Sequence, residues 1–179
     1  MQLWIAGSLV VLDQMTKIIV KNSMAYGESI PVLGDFFKFT FIENPGMAFG
    51  LRFGGRWFFA IFSLVAALAI IYFIWETRNS HTSLRIALTL ILGGAVGNLI
   101  DRMRFGRVVD FFDVDFIDIP SFALGPLHFS GMTRWPIFNI ADSCVSIGMI
   151  FLIYYMLFIH SKLDEQDPQS QKTENLKNS

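Results

Sequence analysis

The chain has 179 residues, 53% of them hydrophobic and only 16% charged, with a formal net charge of -1. A soluble domain carries about a quarter charged residues, so this composition points to lipid, and the length to one domain or one small membrane bundle. The near-neutral charge gives no reason to expect nucleic acid, and a lone Cys144 excludes an intrachain disulfide or a thiol relay.

A spanning helix needs about 20 mostly apolar residues, and segments near 2–21, 57–75, 85–103 and 137–160 meet that demand. The first is uncharged from Met1 to Leu12, then carries Asp13 and Lys17 before the apolar Ile18-Ile19-Val20. It lacks a basic leader and an Ala-x-Ala site, so a retained helix is expected rather than a removable signal peptide. Beyond it, Phe37-Lys38-Phe39-Thr40-Phe41 alternates with period two and predicts a half-buried strand of a small antiparallel sheet. Its phenylalanines are expected to face lipid headgroups, acyl chains or substrate. Pro45-Gly46 marks a turn, and Gly50, Gly54 and Gly55 punctuate the approach to the second span.

The second span, Trp57 to Trp75, holds no charge and one serine. The third stops at Asp101-Arg102 and contains Gly93 and Gly97, whose spacing lets a neighbouring helix come close. The fourth is uncharged from Ser143 to Ile159 and is expected to start a turn earlier, near Phe138. Residues 161–179 are polar, without an aromatic, and are expected to be disordered. The predicted fold is an all-α membrane protein, a four-helix transmembrane bundle forming one domain over 1–160. A small sheet lies in its first long loop. Four spans put both long loops, about 22–56 and 104–136, on the same membrane face, whichever way the bundle is oriented.

Ionisable residues in membrane helices are costly and mark function by default. Here they gather at the loop face: Asp13 with Lys17, Asn98 with Arg102, and Asn139 with Asp142, each pair three or four residues apart on one helix side. Asp110 follows just past the third span, in Val108-Val109-Asp110-Phe111. Each group alone has an ordinary explanation. Asp13 and Lys17 suit a structural ion pair, Asn98 and Asn139 interhelical hydrogen bonds, and Arg102 a headgroup anchor. Asp110 could be one carboxylate of an acidic loop, and Glu43-Asn44-Pro45-Gly46 a plain turn. Their convergence at one face is what these separate explanations leave out.

The available chemistry is narrow. His81, His128 and His160 have no ligand spacing, so neither a metal site nor a histidine base is expected, and Cys144 suits an inert packing role. Lys17 has no serine standing out beside it for a Ser-Lys pair. Two carboxylates are the economical choice: close together they share a proton, and such a pair hydrolyses a peptide bond by acid–base catalysis without a cofactor.

Five segments carry a family resemblance: Asp13-Gln14-Met15-Thr16-Lys17, Glu43-Asn44-Pro45-Gly46-Met47-Ala48-Phe49, Gly97-Asn98-Leu99-Ile100-Asp101-Arg102, Val109-Asp110-Phe111 and Phe138-Asn139-Ile140-Ala141-Asp142-Ser143. In this order they resemble the motif blocks of bacterial lipoprotein signal peptidases. The resemblance implies an intramembrane aspartic endopeptidase that removes the signal peptide of diacylglyceryl prolipoproteins, cutting before the lipidated cysteine. It implies that Asp110 and Asp142 are catalytic. Asn44, Asn98, Arg102 and Asn139 match residues that line and support the site, and Asp13 and Lys17 the supporting pair on the first helix. It also implies a multi-pass protein of the bacterial inner membrane, with the sheet extracytoplasmic, the site toward the outer leaflet and the tail cytoplasmic. Membrane lipid and globomycin-type inhibitors are the further partners it implies.

Two features depart from the pattern. The stretch between Asp110 and Asp142 is long, with Ala123-Leu124-Gly125-Pro126-Leu127-His128-Phe129 resembling part of an inserted loop. Lysine and arginine are also more numerous on the loop face, which by the positive-inside rule would put the site in the cytoplasm. The rival function is a small transporter or channel using carboxylates as a proton or cation relay. It requires polar residues at mid-membrane, where the second and fourth spans have almost none.

Overall fold

The computed structural model describes residues 2–46, 56–116, 118–124, 127–129 and 131–160. The Gly50, Gly54 and Gly55 positions and the 161–179 tail lie outside these residues. In chain order the elements are α1 (Gln2–Ser23), β1 (Ser29–Leu33), β2 (Phe37–Asn44), α2 (Arg56–Glu76), α3 (Thr82–Phe105), β3 (Val108–Val114), β4 (Phe122–Leu124), β5 (Leu127–Phe129) and α4 (Ile140–Tyr154). A π-helical turn, Tyr155–His160, extends α4.

All four helices are long and apolar enough to cross a membrane. Outward residues of three of them, Trp4 on α1, Phe62 on α2 and Ile150 on α4, are more than half exposed. A soluble protein does not leave apolar area of this extent bare, so these faces belong in lipid. The protein is a multi-pass membrane protein. α3 is the central helix: half of its span is buried inside the protein, against less than a quarter in each of the others. Small residues bring its neighbours close. A Cβ on Gly93 would stand 3.1 Å from the Leu9 Cβ of α1, one on Gly94 would meet the Ala141 carbonyl oxygen of α4 at 2.2 Å, and one on Gly97 the Asp13 carboxylate at 2.7 Å. Gly93 and Gly97 therefore do what their spacing suggested, and Gly94 sets the approach of α4.

The four helices and the small sheet are present, but the expectation that the sheet is confined to the first long loop needs correction. The predicted strand is present as β2, but its sheet has three antiparallel strands in the order β1-β2-β3, and β3 comes from the second long loop. The cause is at the end of α3. Gly106 adopts φ 70° and its N–H returns to the Arg102 carbonyl, a left-handed cap that glycine takes without strain. The chain is thus released straight into Val108, with no loop between. The long inter-aspartate stretch folds part of its length into a β4–β5 hairpin, with Phe122 opposite Phe129.

The sheet phenylalanines are also placed differently from expectation. Phe41 is buried with Val20, Val109 and Phe111, while Phe39 and Phe112 pack against this cluster. Phe37 and Phe39 lie against Phe112 at ring separations of 6.2 and 5.9 Å. These rings join sheet to bundle instead of facing outward; Phe36 alone of this group is more than half exposed.

Candidate active site

The site is built around one buried ammonium. Lys17 is 2% exposed, and its Nζ lies 2.9 Å from Asp13 Oδ2, 2.9 Å from Asp101 Oδ2 and 3.0 Å from Asn98 Oδ1. An ammonium has three donors, and here each has an acceptor, which is the condition for keeping a charge in a low-dielectric interior. The two carboxylates each reach further. Asp13 Oδ1 accepts the Ala141 backbone N–H at 3.0 Å, and Asp101 Oδ2 accepts that of Val109 at 3.2 Å. Ala141 precedes Asp142 and Val109 precedes Asp110. The ion cluster therefore grips the backbone one residue before each aspartate.

Asp142 stands in the first turn of α4. Asn139 is the N-cap: its side chain accepts from the Asp142 N–H, and the Asp142 carboxylate accepts from the Asn139 N–H, a reciprocal capping box. Asp142 Oδ1 also accepts from Asn98 Nδ2 at 2.7 Å. Asp110, opposite Ile42 across the sheet, is 2% exposed. Its Oδ1 accepts from Asn139 Nδ2 at 2.6 Å and its Oδ2 from Asn44 Nδ2 at 3.1 Å. Asn139 Nδ2 also reaches Asn98 Oδ1 at 3.2 Å. Two asparagines thus bridge the aspartates, from Asp142 through Asn98 and Asn139 to Asp110.

Burial pushes the Asp110 carboxyl up to about 7, and the neighbouring Asp142 charge pushes the same way; the amide donors Asn44 and Asn139 pull against them. An acid in this range exchanges its proton near neutral pH, as general acid–base catalysis needs.

Beside Asp142 a cavity of about 580 Å³ opens between α2, α3 and α4, lined by Phe58, Phe59, Phe62, Val145, Asn98 and Arg102 among others. Arg102 Nη1 donates to Ser63 Oγ at 3.0 Å, the one serine of the second span. Its buried Nε has no partner among the described residues.

All eight residues singled out from sequence converge here. Asp110 belongs to a strand instead of a loop past a helix end. Asp101 and Gln14 were missed as members of the site. Asp101 marked only the end of a span, although its place three residues after Asn98 puts it near the same helix side. Gln14 Nε2 donates to Asp101 Oδ1 at 2.9 Å and to the Gly97 carbonyl at 3.1 Å. Ser63 was visible only as the sole serine of an apolar run.

Comparison with known proteins places the chain in a family. Residues 5–158 match the family model described as signal peptidase (SPase) II. The lipoprotein signal peptidase of Desulforapulum autotrophicum is 43% identical over 155 residues, 84% of this chain and 87% of that protein. That of Clostridioides difficile is 40% identical over 155 residues, covering 86% and 93%. A bacterial membrane enzyme solved at 2.3 Å superposes with a TM-score of 0.76 at 32% identity, covering 93% of this chain and 92% of that one. A second, solved at 1.9 Å, gives 0.73 at 34% identity. The transport alternative draws no support from these relatives. The chain belongs to the signal peptidase II family.

Proposed function

We propose that Asp110 and Asp142 are the catalytic pair with which this protease removes the signal peptide from diacylglyceryl-modified prolipoproteins, cutting before the lipidated cysteine. The observation that carries the reading is the asparagine bridge between two carboxylates, one of which, Asp142, lines an apolar cavity. One carboxylate, ionised, takes a proton from water as the water attacks the scissile carbonyl. The other, protonated, donates to the carbonyl oxygen and then helps the amine leave. Burial and mutual repulsion keep one proton on the pair. Arg102, at the cavity wall, is placed to donate a guanidinium N–H to a carbonyl of the bound peptide.

The cavity beside Asp142 suits acyl chains better than the sheet phenylalanines do, because its aromatic walls remain open to an occupant. Each buried methylene contributes about 0.8 kcal/mol, so lipid burial selects the substrate while the aspartates cut it. The setting is the bacterial inner membrane, with the sheet extracytoplasmic and the site toward the outer leaflet, where membrane lipid surrounds the helices. A globomycin-type cyclic peptide would inhibit by occupying the same cavity. The test is a precursor with and without its diacylglyceryl group, mixed with the enzyme in detergent at equal concentration. Cleavage of the lipidated form alone is expected; equal rates on both would place specificity in the peptide.

A further inference from the structure

Away from the active site, charge is concentrated at the far end of the sheet, around Arg134. Its Nε donates to Asp113 Oδ1 at 2.8 Å, its Nη1 to Asp35 Oδ2 and Asp115 Oδ2 at 3.2 Å each, and its Nη2 to the Asp35 carbonyl at 2.9 Å. Asp113 also accepts from Thr40 Oγ1 of β2 at 2.6 Å, and Lys38 pairs with Asp35. One planar guanidinium thus ties together the β1–β2 turn, the end of β3 and the chain returning toward α4. Only arginine offers such a fork of donors. An isolated exposed ion pair contributes little; here the Asp113 side chain is 10% exposed and that of Arg134 26%. Without Arg134, Asp35, Asp113 and Asp115 would face one another with Lys38 as their remaining cation.

The returning chain leads directly to the site. Trp135 N–H donates to the Val114 carbonyl at 3.2 Å, and Phe138 exchanges hydrogen bonds with Phe112 at 2.7 and 3.1 Å. Asn139 follows, reaching Asp110, and α4 begins at once behind it. In such a pairing a slip of one residue turns every side chain to the opposite face. Asn139 would then leave Asp110, and the start of α4, with Asp142, would move.

We propose that Arg134 is a positioning residue for the reaction: by holding residues 134–139 in register on β3, it fixes Asn139 and Asp142 against Asp110. Its side-chain partners are all at the opposite end of β3 from Asp110, so it acts through the backbone pairing and not on the substrate. Most of the wall of the cavity beside Asp142 belongs to α2 and α3, which Arg134 does not touch. Loss of Arg134 therefore damages turnover and spares substrate binding.

This inference rests on the catalytic pair proposed above. The experiment is steady-state cleavage of a lipidated precursor by the purified full chain, comparing Arg134→Met, Arg134→Lys, Asp113→Asn, the double variant Arg134→Met/Asp113→Asn, and Asp110→Asn, with thermal unfolding measured on each. Misplacement of reacting groups by about 1 Å can cost up to about 100-fold, so a kcat loss of about 10- to 100-fold is expected for Arg134→Met. Its KM should stay within about twofold, as for an interaction that acts on the transition state. Arg134→Lys, which keeps the charge without the fork, should fall between wild type and Arg134→Met. The double variant should be no slower than Arg134→Met alone, since both changes open one clasp. An unchanged kcat for Arg134→Met, a change in KM alone, or a kcat loss matching only a lost folded fraction would overturn the proposal. Turnover by Asp110→Asn would instead overturn the catalytic pair, whatever Arg134→Met does.

Discussion

Lys17 Nζ lies 2.9 Å from Asp101 Oδ2 and equally far from Asp13 Oδ2, so one ammonium of α1 bridges carboxylates of two helices inside the bundle. Removing one partner of a buried ion pair leaves uncompensated charge and costs about 3–5 kcal/mol. Lys17→Met should therefore destabilise the protein by about that amount and abolish activity, because Asp13 and Asp101, left without their shared cation, no longer hold Ala141 and Val109 in place. Thermal unfolding in detergent checks the first effect and precursor cleavage the second. A Lys17→Met protein as stable as wild type would show that the cluster carries no structural weight.

The approach of α4 to α3 gives a second prediction. A methyl group at Gly94 would stand 2.2 Å from the Ala141 carbonyl oxygen, whereas one at Gly7 meets nothing within 4 Å. Backbone cannot move aside as a side-chain end can, and overpacking costs about 1–3 kcal/mol. Gly94→Ala should lower the unfolding temperature and reduce activity by shifting Asp142. Gly7→Ala, in the same assays, should leave activity alone and hold or raise stability, since alanine favours helix over glycine by up to about 1 kcal/mol.

The parts legible in the sequence are those whose signal is local. Spans such as Trp57 to Trp75 show themselves by length and lack of charge, and β2 by its period of two. β3 was hidden because Val108-Val109-Asp110-Phe111-Phe112-Asp113-Val114 has no clean alternation; both of its faces are largely buried, and it follows α3 without a loop. Asp110 and Asp142, the pair proposed as catalytic, were legible as ionisable groups beside apolar spans and through the motif blocks. Asp101 was not, because a charge at the end of a span looks like an interfacial stop, and only its tertiary partners Lys17 and Val109 distinguish it. Arg134 was one cation among many on its face until the fold brought three carboxylates around it.

The raised carboxyl of Asp110 makes stability depend on pH. Below the ordinary carboxyl value of 3.8, both folded and unfolded chains hold the proton, and the group contributes no difference. Between 3.8 and about 7 the unfolded chain has released the proton while the folded one retains it. The unfolded state then binds fewer protons, so stability falls as pH rises through this window and levels off above it. Asp110→Asn removes the titration. Its unfolding temperature should decline less than that of wild type between about pH 5 and 8. Activity should fall on the alkaline side as the shared proton leaves. A cleavage rate that keeps rising through pH 8, or identical unfolding profiles for the two proteins, would contradict this role for Asp110.

Orientation can be read by labelling in intact cells. Leu33 is 62% exposed at the end of β1, and Asn79 is exposed in the turn between α2 and α3, on the opposite membrane face. The native Cys144 is buried and provides a quiet background. An impermeant thiol reagent should label Leu33→Cys and leave Asn79→Cys unlabelled until the membrane is opened. The reverse pattern would follow the positive-inside rule and place the sheet in the cytoplasm.

Two carboxylates, joined through Asn98 and Asn139, are proposed to perform the cleavage. The most direct measurement is turnover of a purified diacylglyceryl prolipoprotein by Asp110→Asn and by Asp142→Asn, each shown by thermal unfolding to be folded in detergent. An amide keeps the shape of the carboxyl but can neither take up the proton of the attacking water nor share one with its partner. Each variant should therefore lose cleavage by at least about 1,000-fold, as loss of a residue that acts in concert with another does. A loss of only a few-fold in both variants would contradict the catalytic pair.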